Sequence, residues 1–153
     1  MARDVTILLA EDNEGHFILT RNYLQRQGIR NEIVWLPDGQ ATLDYLTNHV
    51  AGRQDEDEKD YVLILDIRMP KIDGEQVLQQ MNADPELSQI PVIILTCTGS
   101  GGMIERYYEL GAKAYIVKPV KYSTYLDAMK KVGLYPSSVP DGVKLIKRDS
   151  VTV

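Results

Sequence analysis

The chain contains a single cysteine, Cys97, so no disulfide can form within it and its stability has to come from a packed core. No apolar run approaches the roughly 20 residues needed to cross a bilayer. The longest candidates are strand-sized blocks interrupted by charge. The beginning of the chain also lacks the succession of basic, long apolar and small residues that marks a secretory signal. These absences predict a cytoplasmic protein with no membrane partner. Positive charge is in the minority, with 17 Lys and Arg against 22 Asp and Glu and a formal net charge of -5. Binding to nucleic acid relies on cations that neutralise phosphates, so no nucleic-acid partner is expected. Histidine is scarce too: His16 and His49 are isolated on predicted helices and have no matched third ligand for a transition metal. What is present, 44% hydrophobic and 25% charged residues over 153 positions, suffices for one core. The length leaves no room for an additional DNA-binding module beside it.

Short apolar blocks alternate with amphipathic stretches along the chain. Residues 5–10 are apolar except for Thr6 and end abruptly at Glu11-Asp12-Asn13, as a strand buried on both faces does where it emerges. Residues 14–27 carry Phe17, Ile18 and Leu24 at helical spacing and stop at Gly28. A second strand at 33–36 follows. After the Pro37-Asp38-Gly39 turn, a second helix sets Leu43, Leu46 and Val50 on one face. Residues 51–60 are acidic and lack a large apolar anchor, which predicts a solvated loop. The third strand is 61–66 and ends in a carboxylate. A brief helix after Gly74 carries Val77, Leu78 and Met81. Residues 91–96 form the fourth strand, and Met103, Tyr107 and Leu110 mark a fourth helix ending at Gly111. Residues 114–117 form the fifth strand, and Tyr122, Tyr125, Leu126, Met129 and Val132 a fifth helix ending at Gly133. Five buried strands separated by helices imply an α/β fold, a doubly wound five-stranded parallel sheet with helices on both faces. The main domain is expected over residues 1–133. Residues 134–153, with Pro136 and Pro140, are expected to be a carboxy-terminal tail or strapped-on extension, with 143–147 as an added edge strand or dimer arm in the alternative.

The informative polar residues all fall at the carboxyl ends of strands: Glu11 and Asp12 after the first, Asp66 on the third, Thr96 on the fourth and Lys118 after the fifth. In an open doubly wound sheet that edge holds the ligand crevice, so residues distant in sequence meet there. Singly, each has an ordinary role as helix cap, strand residue or surface charge. Jointly they define one site. Three gathered carboxylates repel one another, and a hard divalent cation such as Mg²⁺ or Mn²⁺ relieves that repulsion through oxygen ligands. An Asp66 oxygen is then placed to attack phosphorus, with Thr96 hydrogen-bonding the arriving phosphoryl group and Lys118 offsetting its charge.

At this point the sequence resembles the receiver domains of bacterial two-component response regulators of the CheY-like, free-standing kind. The likeness is carried by LLAEDN at 8–13, LILDIRMPKIDG at 63–74, IPVIILT at 90–96 and YIVKPV at 115–120, and it extends from Val5 to about Gly133. The resemblance implies a flavodoxin-like strand order of 2-1-3-4-5. It implies Asp66 as phosphoacceptor, Asp12 as direct metal ligand, Glu11 as a ligand through water and Arg68 as a ligand through its backbone carbonyl. It further implies a cis bond between Lys118 and Pro119, and a switch in which Thr96 moves toward the phosphoryl group while Tyr115 turns inward. A sensor histidine kinase would supply the phosphoryl group, and a downstream protein would read the result. The acidic loop and the tail resemble the layout of regulators served by phytochrome-type kinases, which leaves the kinase open, as it does a homodimer. The sequence departs from the common pattern at Cys97, where many receivers have Ala or Gly; a small buried hydrophobe is expected there. Trp35 is expected to pack under a helix, and Tyr107, Tyr108 and Tyr122 to serve either the core or a partner face.

Two other functions compete. A phosphohydrolase of the haloacid dehalogenase type also uses an aspartate nucleophile, but it needs a second aspartate two residues later as proton donor, where this chain has Arg68. A passive interaction module would have no use for the acidic cluster, Thr96 and Lys118. The expectation is therefore a phosphoacceptor that catalyses its own phosphorylation and dephosphorylation, not a turnover enzyme.

Overall fold

The computed structural model describes residues 3–50, 60–97, 100–118, 121, 123–138 and 144–148. The acidic segment 51–59, the bond to Pro119 and Tyr122 lie outside the described residues. The central strands are β1 (Arg3–Ala10), β3 (Asp60–Asp66) and β4 (Val92–Thr96). Their near-continuous Val, Ile and Leu runs suit burial on both faces, and Ile7, Leu8, Leu63, Ile64, Ile93 and Ile94 are each fully buried. β2 (Ile33–Leu36) flanks β1 and β5 (Ala114–Val117) flanks β4, both in parallel, giving the order β2-β1-β3-β4-β5. On β5 the burial alternates: Ala114 and Ile116 face inward, Tyr115 and Val117 outward.

Because successive strand residues point to opposite faces, the sheet builds two cores. On one, Ile7, Leu9, Ile64 and Leu95 meet Phe17 and Leu24 of α1 (Glu14–Arg26) and Tyr125 and Met129 of α5 (Ser123–Lys131). On the other, Leu8, Leu63, Leu65 and Ile94 meet α2 (Gly39–His49), α3 (Gly74–Asn82) and α4 (Gly101–Glu109) through Leu46, Val77, Leu78, Met81, Ile104 and Tyr107. Helix starts are set by side-chain caps: Asn13, Asp38, Asp73 and Ser100 each accept a backbone N–H from three residues on. Gly28, Gly111 and Gly133 have φ of 88°, 107° and 85°, the left-handed geometry that ends a helix cheaply only at glycine.

Met103 lies outside the core and is 37% exposed, where the spacing places it on the apolar face; Ile104 is buried in its stead, three residues before Tyr107. With α4 starting at Gly101 behind the Ser100 cap, the apolar stripe lies one step further along. Of the two expectations for the carboxy-terminal segment, the structure has the added strand, at 144–148 where 143–147 is expected, in place of an irregular tail. β6 (Leu134–Ser138) and β7 (Lys144–Arg148) form an antiparallel pair, and β7 continues the sheet by pairing antiparallel with Arg3 and Asp4 of β1. Pro136 sits in β6, whose only strand partner among the described residues is β7, an edge position where a missing N–H is tolerated. Leu134 is 1% exposed and lies in the core beneath α5.

Candidate functional site

β1, β3, β4 and β5 end side by side, because Ala10 pairs with Leu65, Asp66 with Leu95 and Thr96 with Val117. The residues just at or past those ends therefore converge. One carboxylate oxygen from each of Glu11, Asp12 and Asp66 lies within 4.8 Å of the others, with Glu11 and Asp66 buried and Asp12 exposed. Lys118 reaches into the group: its Nζ is 2.6 Å from Asp66 Oδ2 and 3.6 Å from Glu11 Oε2. Its backbone N–H donates to the carbonyl of Thr96 at 2.8 Å, which ties the end of β5 to that of β4. Thr96 is itself buried.

The Asp66 carboxylate is oriented from two sides. Oδ1 accepts the backbone N–H of Arg68 at 3.0 Å while Oδ2 accepts from Lys118. Gly74 lets the following helix come this close, since a Cβ there would stand 2.4 Å from the carbonyl oxygen of Asp66. Glu11 Oε1 accepts the backbone N–H of Asn13 at 3.2 Å and lies 3.6 Å from Nδ1 of His16. Burial, and then the charge of Asp66, hold the Glu11 carboxyl above its ordinary range, against the opposing pull of Lys118, the Asn13 bond and His16. For Lys118, burial pulls downward, but the hydrogen bond and charge of Asp66 and the charge of Glu11 prevail, and the ammonium is held above its ordinary range. Three carboxylates against one ammonium leave net negative charge in a partly buried crevice. An all-oxygen donor set of that charge fits a hard divalent cation.

Of the residues singled out in the sequence, Glu11, Asp12, Asp66 and Lys118 meet in this crevice, the Arg68 N–H reaches Asp66, and Thr96 closes the neighbouring strand. Sequence reasoning missed the neighbours of Glu11. The indole Nε1–H of Trp35 donates to the Glu11 carbonyl at 2.7 Å, and Trp35 stacks on Phe17 of α1 with ring centroids 5.4 Å apart. No spacing rule reveals a bond between a strand side chain and a neighbouring strand's exit. Cys97 is exposed, not a buried hydrophobe, because β4 ends at Thr96 and Cys97 is the first residue beyond the sheet edge. Tyr115 is 40% exposed and meets Tyr108 of α4 edge to face at 6.2 Å. Tyr107 belongs to the core.

A parallel sheet in this order with an acidic crevice, a lysine and a threonine at its carboxyl edge defines a phosphoacceptor domain. The chain belongs to the response regulator receiver domain family, whose model matches residues 7–130, and it is accordingly a two-component response regulator receiver, a protein phosphorylated on aspartate. Among the relatives, the probable methanogenesis regulatory protein FilR2 of Methanothrix harundinacea is 35% identical, covering 84% of this chain and 81% of that protein. The bacteriophytochrome response regulator RtBRR superposes with a TM-score of 0.75 at 34% identity, covering 92% of this chain and 84% of that one. The Mn²⁺-bound form of the response regulator Rcp1, known from Synechocystis, gives a TM-score of 0.63 at 29% identity over 83% of this chain and 88% of that one. Among the described residues no helix is long and apolar enough to cross a membrane.

Proposed function

We propose that Asp66 accepts a phosphoryl group from a sensor histidine kinase, and that the chain signals by protein contact once it is phosphorylated. The observation that carries this reading is the Asp66 carboxylate held between Lys118 and the Arg68 N–H, in a crevice shared with Glu11 and Asp12. Asp12 is assigned as direct metal ligand with Asp66, Glu11 as a ligand through water and Arg68 as a ligand through its backbone carbonyl. When bound there, Mg²⁺ or Mn²⁺ supplies positive charge against the oxygens of the transferring group. The chain's own residues do the rest. An oxygen of Asp66 forms the new bond to phosphorus as the bond from phosphorus to the kinase histidine breaks. Lys118, already in contact with Asp66, swings its charge onto a phosphoryl oxygen, and the Thr96 hydroxyl donates to another. The same groups then serve the reverse loss to water, so the domain catalyses its own phosphorylation and dephosphorylation.

Tyr115, poised at the surface against Tyr108, is the aromatic that turns inward as Thr96 moves, which alters the face offered to a downstream target. The likeness to RtBRR supports a phytochrome-type kinase as donor. The β6–β7 pair supports a homodimer, since β6 ends the strand order among the described residues and so offers an edge to a second copy. Cytoplasmic placement follows from a kinase that works there. Incubation with Mg²⁺ and a small-molecule phosphodonor tests the core of this reading. Wild type is expected to incorporate label on Asp66 and lose it again to water, and Asp66→Asn to incorporate none; equal labelling of the two, or no label on wild type, overturns it.

A further inference from the structure

Trp35 is the only tryptophan in the chain, and it does more than fill space between β2 and α1. Glu11 leaves the sheet with both of its backbone groups held by the end of β2. Its N–H donates to the carbonyl of Leu36 at 3.1 Å, and its carbonyl accepts the Trp35 indole N–H at 2.7 Å. That carbonyl belongs to the peptide joining Glu11 to Asp12, so its direction sets the plane from which both carboxylates project. The indole in turn is fixed by stacking at 15° on Phe17, whose ring also carries the Arg21 guanidinium at 5.6 Å. An indole has one donor and no acceptor, and a partly buried donor needs a partner, which here is the Glu11 carbonyl.

From this geometry we infer that Trp35 is a positioning residue for the divalent-cation site: it locks the Glu11–Asp12 peptide so that the two carboxylates face Asp66. The inference rests on the metal-site reading given above and adds to it a group that touches no ligand atom. Two consequences separate positioning from general stabilisation. Removing the N–H while keeping an aromatic ring weakens cation binding, by about fivefold if the lost bond is of ordinary net strength. The indole, one peptide from two carboxylates, also senses the cation's charge in its emission.

The test uses the full chain and Mn²⁺ as probe, with free Mn²⁺ read by electron paramagnetic resonance in wild type, Trp35→Phe and Leu134→Ala. The last is a control that loses core packing at a residue outside the crevice. Wild type is expected to bind, Leu134→Ala to bind as wild type does, and Trp35→Phe about fivefold more weakly. In parallel, Mg²⁺ is titrated against wild-type indole emission, a measurement that does not depend on any Trp35 variant folding. A saturable change that Asp12→Asn abolishes is the expected result. If wild type binds Mn²⁺ but Trp35→Phe binds as tightly, or both variants weaken alike, or emission ignores Mg²⁺, the positioning role is wrong and the metal site stands. If wild type binds no cation, the metal-site reading fails and takes this inference with it.

Discussion

At the scale of single residues, the crevice is tuned by charges that oppose one another, and pH exposes them separately. The Glu11 carboxyl is held above its ordinary 4.5, so in metal-free protein the folded state keeps a proton that the unfolded chain has already lost. Stability without metal therefore falls as pH rises through the window just above 4.5, and Glu11→Gln flattens that slope, as urea midpoints in chelator across pH would show. Lys118 does not confuse the measurement. Its pKa is raised from 10.5, so its contribution is complete below that value and is lost only as pH climbs past it. The ammonium 2.6 Å from Asp66 also occupies charge that a cation would use. Lys118→Met is expected to bind Mn²⁺ about tenfold more tightly, yet accept label more slowly because nothing then offsets the phosphoryl charge. A variant that loses both properties together would contradict the separate roles. The residue types of this site were legible in the sequence because Glu11, Asp12, Asp66, Thr96 and Lys118 each close a strand, and strand ends are where a parallel sheet binds. Trp35 and the exposure of Cys97 were not, because each depends on how far a neighbouring strand runs before its edge.

At the scale of elements, local signals and long-range ones differ in what they disclose. The Asp73 cap is local: its side chain accepts the Gln76 N–H while the Gln76 side chain accepts the Asp73 N–H, a reciprocal pair that starts α3 right behind the acceptor strand. Asp73→Ala should cost about 1 kcal/mol in chemical denaturation. Leu134 shows the opposite case. It opens β6, is 1% exposed, and fills the core under α5, so Leu134→Ala should cost about 2 to 4 kcal/mol by the same measurement. The five parallel strands could be read from their apolar runs, and β2 and β5 fall on the boundaries that composition suggested. β6 could not, since Pro136 reads as a breaker until its partner β7 is known, and that pairing joins residues with no local pattern in common. The face of α4 was displaced by one residue for a related reason: Met103 and Ile104 are both apolar, and only contact with Tyr107 and the sheet distinguishes them.

At the scale of the whole molecule, the crevice is a place where folding and ligand meet. Buried like charges oppose the native state, and a divalent cation that binds only the folded protein stabilises it by mass action. With Mg²⁺ at a hundred times its Kd the gain is about 2.7 kcal/mol, seen as a rise in Tm that grows with Mg²⁺ concentration and vanishes on chelation. An unchanged Tm across that range would mean that the three carboxylates do not gather an ion. The molecule is also polar in the geometric sense. β7 joins β1 at Arg3 and Asp4, while Glu11 emerges at the far end, about 25 Å away at the rise of an extended chain. A tether grafted onto β6 would hold the protein by its rear, so that a coated sensor surface would present every acidic mouth outward to an approaching kinase.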